Sequence, residues 1–260
     1  MGIGLYSNQY YLPVQVSGLT SVQKAAAGSG NSFVILNNGT LMAWGNNFFG
    51  KLGIGSGKDL TNVPVEVTGI ANVSDVACGW AHTLMLTDDG TAYSSGFNGF
   101  GQLGDGTKSS ANSPVKVKGL TNIIKIAAAD FSSVALTQDG KVWNWGLYLN
   151  WDAALGASVD STNLPTHVPG LSNIVSIACC TLHALALDQN GEVWAWGDGL
   201  NGQLGIGLRT VYEIPVHVQG ISNIVAIAAG TAFSLAIDNH GILWAWGVNP
   251  YGEFGNGIPG

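Results

Sequence analysis

The residues of this 260-residue chain best suited to chemistry are few and regularly placed. His82 and His183 share one register, His167 and His217 a second, and Cys78 and Cys179 a third, with Cys180 next in line. Histidine with cysteine is a ligand set for zinc, but the CxxC pairs and short His spacings of zinc sites are missing. There is no HExxH, no phosphate-cradling Gly loop, no nucleophile elbow, and no carboxylate pair that stands apart from turn aspartates. The cysteines therefore read as small buried hydrophobes, and His167 and His217 as polar positions of an outer strand. The chain is expected to be no enzyme and to use no metal or cofactor. What remains is recognition chemistry. Phe48, Phe49, Phe97, Phe100, Tyr148, Trp151 and Tyr251 fall in one family of variable loops, and Trp80, His82, Phe131, His183 and Phe233 in another. Aromatic side chains in loops that vary on a regular scaffold are the usual material of a binding surface.

The elements that position these residues recur every 50 or 51 residues. The series Pro13, Pro64, Pro114, Pro165 and Pro215 keeps step with Gly45, Gly96, Gly146, Gly197 and Gly247. Each unit holds four apolar runs, here called strands A to D, as in IVAIAAG (224–230), SLAI (234–237), LWAWG (243–247) and PVHV (215–218). Between B and C stand Asn38-Gly39, Asp89-Gly90, Asp139-Gly140, Asn190-Gly191 and His240-Gly241, which predict two-residue hairpins with positive φ at both turn residues. Strand A carries the smallest side chains, including Ala26, Ala77, Ala127, Ala178 and Ala228, and is placed innermost, where strands crowd around an axis.

A repeat of this length with four strands and a Trp near a Gly predicts an all-β propeller of four-stranded antiparallel blades. The repeat spans residues 1–260, so one domain is expected. The chain opens on a lone D strand, residues 12–16, and closes after a C strand, 243–247; joining them completes five blades and closes the ring. Both ends also carry part of the same connecting loop, Gly2-Ile3-Gly4 and Gly252 to Gly255, an overlap that closure must accommodate.

Composition narrows the partners. With 46% hydrophobic and only 10% charged residues and 38 Gly, the chain suits buried strands and tight turns. The net charge of −7 and scattered basic residues supply no stripe for a phosphate backbone, so nucleic acid is not expected. No apolar run approaches the roughly 18 residues of a membrane span, and no signal-peptide pattern precedes residue 12. Neither feature names a compartment.

The units PVEVTGIANVSDVACGWAHTLMLTDDG and PVHVQGISNIVAIAAGTAFSLAIDNHGILWAWG, with NGQLG loops such as Asn201–Gly205, resemble the repeat of the regulator of chromosome condensation family. That resemblance covers nearly the whole chain and implies a propeller. Well-known members have seven blades against the five units here. It further implies protein binding and, in some members, guanine-nucleotide exchange on a small GTPase.

The expected function is a protein-binding scaffold, a monomer whose partner sits on the face shared by the A-to-B and C-to-D connections. The other readings are an exchange factor, a small-ligand or carbohydrate-binding propeller, and a ring without a partner. Three local expectations complete the reading. The segment 147–156 is two residues longer than its counterparts and is expected to protrude. Tyr93-Ser94-Ser95 replaces the usual Trp-x-Trp, and Trp80 is expected to fold into the space left empty. Lys24, Asp75, Lys125, Ser176 and Ala226 share a register near the axis, where the lysines compensate Asp75.

Overall fold

The computed structural model describes residues 2, 12–55, 57–147 and 161–257. Five sheets follow one another along the chain. Blade 1 is β1 (Val22–Ala27), β2 (Asn31–Leu36), β3 (Leu41–Asn46) and β4 (Leu60–Glu66). Blade 2 is β5 (Val73–Cys78), β6 (His82–Thr87), β7 (Ala92–Gly96) and β8 (Ala111–Lys116). Blade 3 is β9 (Ile123–Ala128), β10 (Ser132–Thr137), β11 (Val142–Leu147) and β12 (Ser161–His167). Blade 4 is β13 (Ile174–Cys180), β14 (His183–Asp188), β15 (Val193–Gly197) and β16 (Tyr212–His217). Blade 5 is β17 (Ile224–Ala229), β18 (Phe233–Asp238) and β19 (Leu243–Gly247). All pairings are antiparallel between chain neighbours, the up-and-down order of a propeller blade.

The B-to-C turns differ from the expected two-residue form. Only the glycine takes positive φ, at 77° in Gly39 and 76° in Gly90. Gly39 N donates to Leu36 O and Leu36 N to Thr40 O, which is a type I turn followed by a left-handed glycine. The residue before the glycine acts through its side chain instead: Thr40 N donates to Asn38 Oδ1 at 3.1 Å and Thr91 N to Asp89 Oδ1 at 3.0 Å.

The turns of blades 1 to 4 also fasten each blade to the next. Val73 N donates to Gly39 O, Ile123 N to Gly90 O, Ile174 N to Gly140 O and Ile224 N to Gly191 O. Four apolar cores lie between successive blades. The core between blades 1 and 2 gathers Phe33, Leu41, Leu52, Val67, Val73 and Met85, and the core between blades 4 and 5 gathers Leu185, Val193, Leu204, Val218, Ile224 and Ala236. Neighbouring blades meet through their first strands, which places the Ala-rich strand innermost. There Lys24 Nζ pairs with Asp75 Oδ1 at 2.5 Å and Lys125 Nζ donates to Ser176 Oγ at 2.7 Å, so the inner register is shared across blades as expected.

The expected ring closure is not formed among the described residues. Blade 5 has three strands, and residues 13–16 adopt no regular structure. At the formed junctions a Cβ on Gly39 or Gly191 would lie 2.6 or 2.8 Å from the next blade's Asn72 or Asn223, whereas Gly241 has nothing within 4 Å. A Cβ on Gly2 would sit 2.9 Å from Trp44 Nε1 and 3.0 Å from Val16 Cγ1, just as one on Gly205 would sit 2.8 Å from Trp246 Nε1 and Val218 Cγ1. Gly2 and Val16 thus pack on Trp44 as Gly205 and Val218 pack on Trp246, whereas Gly255 has nothing within 4 Å.

Candidate protein-docking face

The loops that carry the aromatics are built around a buried asparagine. Asn98 Oδ1 accepts from Leu103 N at 3.0 Å while its Nδ2 donates to Asp105 Oδ1 at 3.2 Å and to Ser109 O at 3.1 Å. Asn47 does the same for blade 1, accepting from Leu52 N at 2.9 Å and donating to Lys58 O at 2.7 Å. With the loop base fixed, side chains on its outer curve are aimed rather than free. Phe49 lies in a short 3₁₀ turn at φ 64°, a costly conformation for a bulky residue, and its ring stands 5.1 Å from Phe97. Phe97 in turn lies across Gly99, where a Cβ would come within 2.4 Å of the ring.

Five of the expected residues converge. Phe97 packs on Phe100 at 6.0 Å and Phe131 at 6.2 Å, Phe100 on Phe131 at 5.4 Å, and Trp80 on Phe131 at 5.4 Å, mostly edge to face. These rings come from the C-to-D loops of blades 1 and 2 and the A-to-B turns of blades 2 and 3. Phe49 and Trp80 remain about half exposed, at 51% and 49%. Beside Phe49 opens a cleft of about 590 Å³ lined by Asn47, Gly50, Asp59, Ala111, Asn112 and Val115. Phe48 is exposed beside it and makes no ring contact among the described residues, and Tyr251, 93% exposed in the blade 5 loop, stands outside the ring cluster. Phe233 packs its ring over Gly230 rather than joining it. Tyr148, Trp151 and the long segment 147–156 beyond Leu147 lie outside the described residues.

Two expectations are corrected here. His82 and His183 are fully buried and serve blade junctions, not a partner. Ser133 Oγ lies 2.8 Å from the Gln102 carbonyl, which can only accept, so the hydroxyl donates there and His82 Nε2–H donates to Ser133 across 2.9 Å. His183, Ser234 and Gln203 repeat the arrangement with both contacts at 2.9 Å. Trp145 and Trp246 donate to the same carbonyls at 2.8 Å. Burial pushes the pKa of His82 and of His183 down to about 4, with a carbonyl of Asp130 opposing the shift in His82.

Trp80 likewise does not fold into blade 2. The space left by Ser95 at the Trp register is filled from the adjacent strand, where Met85 replaces the Ala135, Ala186 and Ala236 of blades 3 to 5. Met85 is fully buried, and its Cε lies 3.4 Å from where a Cβ on Gly53 would stand, beside Ser95. Ser95 Oγ donates to Lys51 O at 3.2 Å, replacing the indole donor. Trp80 is thereby left for the surface.

Two charged residues at this face escaped the sequence reading. Lys51 stands where blades 2 and 4 have Gln102 and Gln203, a substitution visible by aligning the loops. It is only 3% exposed, and its Nζ donates to Ser29 O at 2.7 Å and Trp80 O at 3.1 Å, fixing the Trp80 turn from below. Its pKa is lowered by burial. Asp130, half-buried next to Phe131, has its pKa raised by desolvation. The three cysteines are free thiols of intermediate exposure; burial pushes the Cys78 thiol up to about 12 and the Cys179 thiol upward as well. Among the described residues no group of three His, Cys, Asp or Glu is placed to hold a metal ion, and no helix is long and apolar enough to cross a membrane.

Stacked four-stranded blades with one variable aromatic face define a β-propeller of the repeat type, and the chain belongs to the RCC1-like domain family, whose profile matches residues 4–259. It is 33% identical over 190 residues to the ultraviolet-B receptor UVR8 of Arabidopsis thaliana, covering 72% of this chain and 43% of UVR8. It is 32% identical over 197 residues to the human E3 ubiquitin-protein ligase HERC2, covering 73% of this chain and 4% of HERC2. The chain therefore spans less than half of each of these relatives. Human WBSCR16 superposes with a TM-score of 0.80 at 27% identity, covering 95% of this chain and 67% of that one. Prp20p of Saccharomyces cerevisiae superposes at 0.78 with 24% identity, covering 91% and 60%, a likeness of fold alone.

Proposed function

We propose that this chain is a non-catalytic protein-docking propeller, one domain acting as a monomer, whose binding surface is the aromatic face of blades 1 to 3. The observation that carries this reading is the convergence of Phe49, Trp80, Phe97, Phe100 and Phe131 from separate loops into one patch. A soluble surface gains nothing from holding Phe49 at positive φ and Trp80 half exposed, but an interface core of aromatic anchors does. The family supports the same class of activity, since Prp20p binds Gsp1p and histones and is found in complex with Kap60. Nucleotide exchange on a small GTPase is the narrower form of this reading, and release of a labelled nucleotide from that GTPase tests it.

The docking reading is tested by affinity capture with the wild-type chain, a Trp80→Ser/Phe97→Ser double variant and Tyr251→Ser. The expected result is a partner held by the wild type and by Tyr251→Ser and lost by the double variant at unchanged thermal stability. A partner retained equally by all three removes the aromatic face from the function.

A further inference from the structure

The aromatic patch is bordered by two acids that have no side-chain partner among the described residues. Most carboxylates of the described residues are committed: Asp75 to Lys24, Asp139 to Lys141 and Glu192 to His217, Asp89, Asp188 and Asp238 to their own turns, and Asp105 to Asn98 and Thr107. Asp130 and Asp59 make no side-chain hydrogen bond or ion pair among the described residues. Asp130 sits at one border, directly before Phe131, where its charge reaches Cys179 of the next blade. Asp59 sits at the other, in the cleft that Phe49 lines. Asp130 is half-buried, where a carboxylate without a partner is costly, and Asp59 is exposed; both can take a cation brought from outside.

The cations near the patch do not neutralise these acids. Lys51 lies beneath it, with its ammonium bonded to two backbone carbonyls. Lys58, next to Asp59 in sequence, forms no ion pair with it and does not line the cleft. The surface is therefore acid, then five rings, then acid. Guanidinium and ammonium groups are also held well by ring faces and edges of this kind.

Building on the docking reading, we infer that the partner presents an extended segment with apolar residues at its centre and Lys or Arg on both flanks, the apolar residues on Phe49 and Phe97 and the flanking cations at Asp59 and Asp130. The raised pKa of Asp130 agrees with a carboxylate waiting for a cation, since a bound Lys or Arg would lower it again.

The probe is a phage-displayed random dodecamer library panned on the wild-type chain, with selected peptides resynthesised and titrated by fluorescence anisotropy. The expected peptides carry Lys or Arg on both sides of an apolar pair. Asp130→Asn and Asp59→Asn, which keep shape and remove charge, each weaken them roughly tenfold or more. Binding also weakens as salt rises, and Trp80→Ser/Phe97→Ser abolishes it. Peptides that need Trp80 and Phe97 but show no basic preference, and ignore both Asn variants, overturn the charge pattern and leave the docking reading standing. No enrichment, or peptides indifferent to the double variant, overturns the docking reading and this inference with it.

Discussion

The two buried imidazoles make a quantitative prediction about pH. His82 and His183 have a pKa of about 4 when folded and about 6.5 when the chain is unfolded and the rings meet water. The unfolded chain therefore binds more protons between those values, so stability rises with pH across the window and is lost as pH falls. The contribution is fully present above pH 6.5 and gone once pH drops below about 4. A separation of about 2.5 units corresponds to roughly 3 kcal/mol per histidine over the whole window, of which about 2 kcal/mol is lost by pH 5. Two such residues amount to about 4 kcal/mol at pH 5, a large share of the roughly 5–15 kcal/mol that holds a domain together. The assay is urea unfolding at pH 7 and pH 5 of the wild type and of His82→Gln/His183→Gln, which keeps a donor at each site and cannot titrate. The double variant is expected to be less stable at pH 7 but nearly flat between the two pH values. A variant that loses as much stability as the wild type on acidification refutes the assignment of these histidines as buried neutral junction bonds.

Other perturbations read other parts of the structure. Met85→Ala empties the space that compensates Ser95 and is expected to cost about 2–5 kcal/mol by urea unfolding, where an equivalent Ala already serves in blades 3 to 5. Ser133→Ala leaves the buried His82 N–H without an acceptor and is expected to cost about 1–3 kcal/mol by the same assay. Gly99→Ala drives a methyl to within 2.4 Å of the Phe97 ring, which must swing away; partner capture is expected to fall with little change in melting temperature. Gly191→Ala and Gly241→Ala share φ 80°, but only the former meets a neighbouring blade, at 2.8 Å from Asn223. The former should be more destabilising by about 1–3 kcal/mol, and equal costs would show that blade 5 has a covered junction.

Repetition made the fold legible. Five copies of the same Pro, Ala run and turn, with a Trp-Gly step in four of them, defined strands, order and blade class, and the small side chains of strand A marked the axis. The turn type was misread because Asn and Asp were credited with positive φ, when their contribution is a side-chain oxygen that accepts from the backbone. Register alone did not tell which way the first residue of strand B points. His82 faces Gly79 and the next blade rather than the loop face because Ser133, its hydroxyl turned by the Gln102 carbonyl, accepts from it there. The same comparison of columns that exposed the missing Trp at Ser95 held the answer at Met85, one strand away. The pairing of residues 12–16 with blade 5 was expected from the strand pattern alone, and among the described residues it is not formed. The aromatic patch was half legible: residue types pointed to it, while the selection of five rings depended on Asn47, Asn98 and Lys51, which aim loops through bonds invisible in a pattern.

The most direct test of the docking account is a hydrogen-exchange footprint of the chain with and without its captured partner. The account predicts slowed exchange confined to the segments around Trp80, 97–102 and 129–132, with the blade 1 loop at 47–50, and unchanged exchange at the B-to-C turns. Protection centred on those turns, or on the blade 5 loop around Tyr251, would contradict it.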